Sequence, residues 1–375
     1  METHRERVMK AIDHLQPERI PLRIMGPAKR GEWFEHFGVV DYFGLCDRLQ
    51  LDFRDVRPIY TGQNTALGLT IWGIEYGHVS YEGSGYSALR GRVPLADATS
   101  VSDVENFLWP NPDEFESSTA AEVLKGIPDQ ARMVRVQYAV EQEGLTRQEV
   151  LRGKQPPQEG VVGGEWLPLI CTLFNLFGLE DVLIKLHTEP KIIECAVARI
   201  EEFLLELSRR LLEEIRGLAD ILWYGDDFAT QNGLMLSPEH WRRFLKPTYK
   251  KLFDLAKSYG LEVWFHSCGT FRPVLPDLID MGIDVWETVQ VHLPGNDPKV
   301  LKREYGQDIA FYGAINTQST LPFGTPEDVR KEVRERIRIL GAGGGYICGS
   351  DHSIMPDVPY ENVLAMIDEA KSFRF

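Results

Sequence analysis

The sequence predicts an α/β fold, a (β/α)8 TIM barrel with its chemistry at the carboxyl ends of the strands. Three observations lead there. Short β-branched or aromatic runs alternate with longer helical patterns. Eight such runs can be counted. Polar and titratable residues gather directly after run after run, where barrel enzymes place their sites.

The chain opens with a charged stretch, Met1 to Lys10, read as an N-terminal extension. Candidate strands follow at Ile20–Ile24, Asp52–Val56, Gly160–Gly163, Asp220–Trp223, Leu261–His266, Asp284–Glu287, Asp308–Tyr312 and Gly345–Cys348. The third has the shortest apolar run. The clearest helix starts at Pro190, and Gly217 suits its C-terminal cap. Between them Ile193, Val197, Ile200, Leu204, Leu207, Leu211 and Ile215 recur at helical spacing. An outer barrel helix needs such a stripe, and the same face is compatible with a homodimer. Thr61–Ser87, rich in Gly and Tyr, reads as a loop or hairpin excursion over the barrel mouth. Glu141–Glu159, polar and carrying Pro156-Pro157, reads as a solvated loop. Neither interrupts the βα pattern as a linker would, so residues 1–375 are taken as a single domain.

Composition narrows the function. Lys plus Arg number 41 against 56 acidic residues, a formal charge of −15 that repels nucleic acid and anionic lipid at long range. No run approaches the roughly 20 apolar residues of a membrane span, and a cytoplasmic location is expected. The five cysteines are too scattered for a secreted disulfide framework. Core packing is the default for Cys171 and Cys195.

The motif His266-Ser267-Cys268-Gly269 ends the fifth apolar run. Residues two apart on an extended chain share a face, so imidazole and thiol can converge on one atom. They are ligands zinc prefers, and a third from another strand leaves a position open for substrate. The last strand supplies Cys348 and, four residues on, His352, either of which can be that third ligand. Glu165, after Gly163-Gly164, is a further candidate ligand or general acid. Asp226 and Asp227 follow the fourth strand and can handle protons or orient substrate, although either can instead cap a helix. Trp223, Gln231, Gln290, Asn316 and Gln318 are candidate substrate-binding residues at strand ends.

Several of these residues stand within longer motifs: Arg5-Glu6-Arg7-Val8, Pro17-Glu18-Arg19-Ile20-Pro21, Trp109-Pro110-Asn111-Pro112, Gly225-Asp226-Asp227 with Thr230-Gln231-Asn232-Gly233, His266-Ser267-Cys268-Gly269, Gly324-Thr325-Pro326-Glu327 and Pro359-Tyr360-Glu361-Asn362. With them the chain resembles the uroporphyrinogen decarboxylase superfamily along nearly its whole length. The closest motifs belong to the zinc-dependent corrinoid methyltransferase branch. The resemblance implies a methyltransferase moving a methyl group between a small substrate (methyl ether, thiol or folate type) and a corrinoid carried by a partner protein. His266 and Cys268 would hold zinc. Counting back from Pro359-Tyr360-Glu361-Asn362, His352 matches the branch's later cysteine ligand, whereas Cys348 lies four residues earlier. The excursion from Trp72 to Tyr86 would shape the mouth on which the corrinoid partner docks.

The arginine-rich motif of the porphyrin decarboxylases is replaced here by Met25-Gly26-Pro27-Ala28-Lys29-Arg30, which argues against porphyrinogen as substrate. Two alternatives stand beside methyl transfer. One is metal-independent decarboxylation of a small aromatic or heterocyclic acid, with His352 and Asp226 as acid and base; the other is a non-catalytic ligand-binding barrel.

Overall fold

The computed structural model describes residues 2–26, 30–64, 69–74, 76–81, 84–89, 93–127, 134–137, 139–140 and 165–375. Seven strands form one parallel sheet in chain order: β1 (Arg54–Val56), β2 (Val134–Gln137), β3 (Ile221–Gly225), β4 (Glu262–His266), β5 (Val285–Val289), β6 (Ala310–Ile315) and β7 (Tyr346–Ser350). Residues 20–24 occupy the remaining place. Cys348 N–H donates to Pro21 O (2.9 Å), Arg23 N–H to Cys348 O (3.1 Å) and Asp52 N–H to Leu22 O (2.9 Å), which joins β7 to β1 and closes the ring. Closure pairs both edges of the seven-stranded sheet among the described residues.

Six of the eight expected strands thus occur within a few residues of their expected bounds, and residues 20–24 hold the place of a seventh through a single bridge. The third does not occur where expected. Val134–Gln137 fills the position between β1 and β3, while Gly160–Gly163 and the polar stretch Glu141–Glu159 lie outside the described residues. A strand at Gly160–Gly163 would stand shortly before the next helix, whereas a long segment separates β2 from α2 (Leu169–Phe177). Thr61–Ser87 does carry most of an antiparallel hairpin, Tyr76–Tyr81 against Ser84–Leu89.

Side-chain parity sets what faces the lumen. Phe53, Ile221, Trp223, Trp264, Val285, Ala310, Tyr312 and Ile347 form one cluster inside the barrel. Their alternates Leu222, Tyr224, Val263, Phe265, Trp286, Phe311, Tyr346 and Cys348 pack in the layer between strands and helices. Helix α1 (His4–Ile12) starts from a Thr3–Glu6 capping box and presses Val8, Ala11 and Ile12 into the lumenal cluster. It is pinned by Asp52, a fully buried carboxylate that accepts from His4 Nδ1 (2.7 Å), Arg19 Nη2 (3.1 Å), Leu22 N–H (2.8 Å) and Arg7. Burial alone would raise the pKa of Asp52, but these donors outweigh it and hold the pKa below the usual value.

Helix α3 (Pro190–Glu214) buries Ile193, Ala196, Ile200, Phe203, Leu204, Leu207 and Leu211, so its stripe is spent on the chain's own core. Trp72 lies edge-on to Phe203 at 5.3 Å and is buried. It is therefore a core residue, and the expectation that it shapes a docking surface is corrected for this side chain. Helices α4 (Lys246–Ser258) and α5 (Pro326–Leu340) complete the layer that matters for the site.

Candidate active site

Strand β4 delivers His266 to the open end of the lumen. In register beside it lies Gly225, where a Cβ would lie 3.0 Å from His266 Cβ, so a side chain there would crowd the histidine. After His266 the chain turns sharply and is held at three successive amides. Ser267 N–H donates to Glu287 O (2.7 Å), Cys268 N–H to Asp227 Oδ1 (2.7 Å) and Gly269 N–H to Gln290 Oε1 (2.8 Å). Gly269 sits at φ +87°, and a Cβ there would lie 2.4 Å from Thr230 O.

The turn brings Cys268 Sγ to 3.6 Å from His266 Nε2, with Asp227 Oδ1 3.8 Å from the same nitrogen. These ligand atoms of Asp227, His266 and Cys268 all lie within 4.8 Å of one another. The other ring nitrogen, Nδ1, faces Glu287 Oε1 at 3.1 Å. A carboxylate can only accept, which assigns a proton to Nδ1; Nε2 faces the thiol side, and its lone pair becomes available to a metal once its own proton is lost. Glu287 is buried and also accepts from the indoles of Trp223 (3.2 Å) and Trp264, with Arg23 Nη1 3.7 Å away. Arg23 in turn pairs with Asp55 at 3.1 Å. A charged floor of Arg23, Asp55 and Glu287 thus lies under the imidazole.

Burial would lower the His266 pKa, but the Cys268 thiolate and the Glu287 hydrogen bond hold it well above the usual imidazole value. For Cys268, burial and Asp227 push upward, yet His266 and a hydrogen bond from His352 win and leave the thiol below its ordinary pKa. Burial likewise opposes the His352 imidazolium, and Cys268 overcomes it. The rings of His266 and His352 are 6.4 Å apart. A thiolate flanked by two imidazoles is a soft, nucleophilic donor set.

The donor set fits zinc. Bonds of about 2.3 Å to sulfur and 2.0–2.1 Å to nitrogen at a tetrahedral angle separate the two donors by about 3.6 Å, which matches the observed Sγ–Nε2 distance. A carboxylate on the remote imidazole nitrogen is the usual orienting partner of a metal-bound histidine. His266 and Cys268 would hold the ion, with His352 or Asp227 completing the protein ligands.

The remaining expected site residues separate into groups. Cys348 points into the layer between strands and helices, its thiol pushed up to about 12 by burial, so it cannot meet the His266–Cys268 pair. Asp226 is fully buried and accepts from Ile170 N–H (2.7 Å), Cys171 N–H (3.2 Å) and Tyr249 Oη (2.6 Å). It caps α2 and ties it to α4, which removes it as a base for substrate. Burial raises its pKa to about 6. Asn316 Oδ1 accepts from Gln318 N–H (2.7 Å) and Ser319 N–H (3.0 Å), a local cap. Gln290 is spent on Gly269, and Trp223 is a lumenal support for Glu287; neither is presented to a ligand. Gln231 and Gln318 are exposed and meet across the rim at 3.5 Å. The side chain of Glu165 and the residue Lys29 lie outside the described residues.

Sequence reasoning missed Glu287, Arg23, His292 and Asp351. The first two carried a signal: a charge inside an otherwise apolar strand has to be paired in the lumen.

The uroporphyrinogen decarboxylase (URO-D) family model matches residues 110–373. The chain belongs to the uroporphyrinogen decarboxylase family. A methylated-thiol–coenzyme M methyltransferase of Methanosarcina mazei is 26% identical over 211 residues, 55% of this chain and 52% of that protein. A uroporphyrinogen decarboxylase of Thermus thermophilus is 29% identical over 178 residues, 45% and 47% of the two chains. The matches span about half the length of these relatives. A solved methyltransferase from Methanosarcina mazei shares the fold, with a TM-score of 0.64 at 18% identity over 99% of this chain and 98% of that one. Among the described residues no helix is long and apolar enough to cross a membrane.

Proposed function

We propose that this family member is a zinc-dependent methyltransferase that moves a methyl group between a small substrate, of thiol, methyl ether or folate type, and a corrinoid held by a partner protein. The observation that carries the reading is the His266 Nε2–Cys268 Sγ separation of 3.6 Å, backed by a buried carboxylate on Nδ1. The methyl-transfer name of the Methanosarcina relative supports the reaction class. When bound, zinc would supply a Lewis acid that lowers the pKa of a thiol or polarises an ether oxygen.

The protein's own groups have distinct tasks in this reading. Glu287 fixes the tautomer and direction of His266. Asp227 fixes the Cys268 amide and offers a carboxylate beside the pair. His352 stabilises the Cys268 thiolate from the opposite rim or joins the ligands. Metal-independent decarboxylation is less well supported, because its base, Asp226, is committed to three donors inside the fold.

The test is elemental analysis of protein purified without added metal, paired with demethylation of methylcobalamin by thiols followed in the visible spectrum. About one zinc per chain is expected, with Cys268→Ala losing metal and turnover while keeping a cooperative thermal transition. Protein that carries no zinc, gains none on incubation and works in strong chelator would overturn the proposal. Absent turnover with a tightly retained ligand would favour a binding barrel.

A further inference from the structure

Three successive strand ends build a second polar cluster on the rim, one residue along the chain from His352. Thr317, just after β6, binds Asp351 Oδ1 through both its N–H (3.0 Å) and its hydroxyl (2.6 Å). Asp351, directly after β7, is fully buried. Its Oδ2 is buried and makes no hydrogen bond among the described residues, while His292 Nδ1, from the loop after β5, stands 3.4 Å away. The imidazole is 25% exposed, so a fixed carboxylate lies behind a ring that solvent can reach. Gln318 lies beside the ring and meets Gln231 from the β3 side of the mouth. A buried acid 3.4 Å from a partly exposed imidazole places a ring nitrogen and a fixed carboxylate together as in a general base.

We infer that His292, oriented by Asp351, takes the proton from a thiol substrate at this mouth. The inference rests on the methyl-transfer reading and names the thiol among its substrate classes. The S–H proton goes to the neutral ring as sulfur forms its bond to the methyl carbon. The methyl–cobalt bond of the corrinoid breaks with its electron pair left on cobalt, and the imidazolium then releases its proton to solvent. The charged groups facing the ring are Asp351 and, further back on α5, Glu332. The Asp351 carboxylate beside the ring outweighs burial and raises the imidazole pKa, which favours proton acceptance.

The experiment uses full-length, zinc-loaded protein, methylcobalamin, and two thiols, one alkyl and one aromatic thiol already ionised at neutral pH. His292→Gln is expected to lower kcat for the alkyl thiol by about 10²- to 10⁴-fold. It should cost the ionised thiol far less, leave zinc content at the wild-type level, and be partly reversed by added imidazole. His292→Asn, made in parallel and checked by its thermal transition, guards against a folding defect in one variant. Equal losses for both thiols without imidazole rescue, or no loss at all, in variants that keep zinc and fold would overturn the role of His292 while leaving methyl transfer standing. Wild-type protein without zinc or methyl transfer would overturn both.

Discussion

Replacing Glu287 by Gln tests the support beneath the site with almost no change of volume. The carboxylate uses one oxygen for His266 Nδ1 (3.1 Å) and Trp223 Nε1 (3.2 Å), and the other for Trp264, with Arg23 beyond at 3.7 Å. A glutamine has one accepting oxygen, so its amide N–H₂ must face donors on one side or the other. A buried donor left unsatisfied costs roughly 1–3 kcal/mol, which sets the expected loss of stability in the metal-free protein. The loss at the metal is separate. With its charge gone, residue 287 no longer strengthens His266 as a ligand, and removal of such an orienting partner weakens zinc binding by about 10- to 100-fold, roughly 1.4–2.8 kcal/mol. Competition for zinc against a chromophoric chelator at neutral pH reads this directly, with near-ultraviolet circular dichroism to establish the fold. Trp264→Phe serves as the control, since it removes one donor and leaves the His266–Glu287 contact. A zinc affinity in folded Glu287→Gln within twofold of wild type would refute the assignment of His266 Nδ1 to this carboxylate.

The third ligand is separated by His352→Ala, expected to weaken zinc binding more than tenfold, and Cys348→Ala, expected to leave it unchanged; the reverse order in chelator competition would contradict the parity of β7. Asp226→Asn should cost about 1–3 kcal/mol in urea unfolding with near-normal turnover per folded molecule, and a selective loss of turnover would return Asp226 to the chemistry. Its folded pKa of about 6 exceeds the ordinary 3.8, so its protonated form stabilises the fold below 3.8 and that contribution fades as pH rises to about 6. Wild type should therefore lose about 1.4 kcal/mol relative to Asp226→Asn between pH 5 and pH 7. Gly269→Ala places a Cβ 2.4 Å from Thr230 O and should abolish zinc retention before it unfolds the barrel; tight zinc binding in this variant would show that the turn can relax.

Much of the barrel was legible because strand ends announce themselves. The apolar run from Leu261 stops at a histidine, and the carboxyl end of a barrel strand is where chemistry collects. Spacing put His266 and Cys268 on one face, the family resemblance suggested a metal there, and the structure brings their donor atoms together. Glu287 and Arg23 were not assigned roles, although both lie within runs that were read as strands. Their meaning depends on which strands are neighbours. Glu287 matters because β5 pairs with β4 so that residue 287 lies beside residue 266. The misplaced strand has a different cause: a strand far in sequence from its helix does not show the compact βα unit that the eye follows.

The remaining errors share one origin, the parity of an extended chain. Barrel strands are buried on both faces, one against the lumen and one against the helices, so their sequences lack the polar–apolar alternation that reveals orientation elsewhere. Asp226 and Asp227 follow the end of one such strand. As consecutive residues of nearly extended chain they face opposite ways, so one carboxylate can reach the mouth and the other must find donors in the wall. The structure gives the mouth to Asp227 and gives Asp226 to two helix amides and a tyrosine. The same rule disposes of Cys348. Ile347 belongs to the lumen, so its neighbour must leave it, and the thiol is carried into the helix layer. His352, beyond the strand end, is released from that alternation, and its ring lies 6.4 Å from that of His266. A residue type suited to a metal is therefore only half of the argument, and the face on which its strand places it decides the rest.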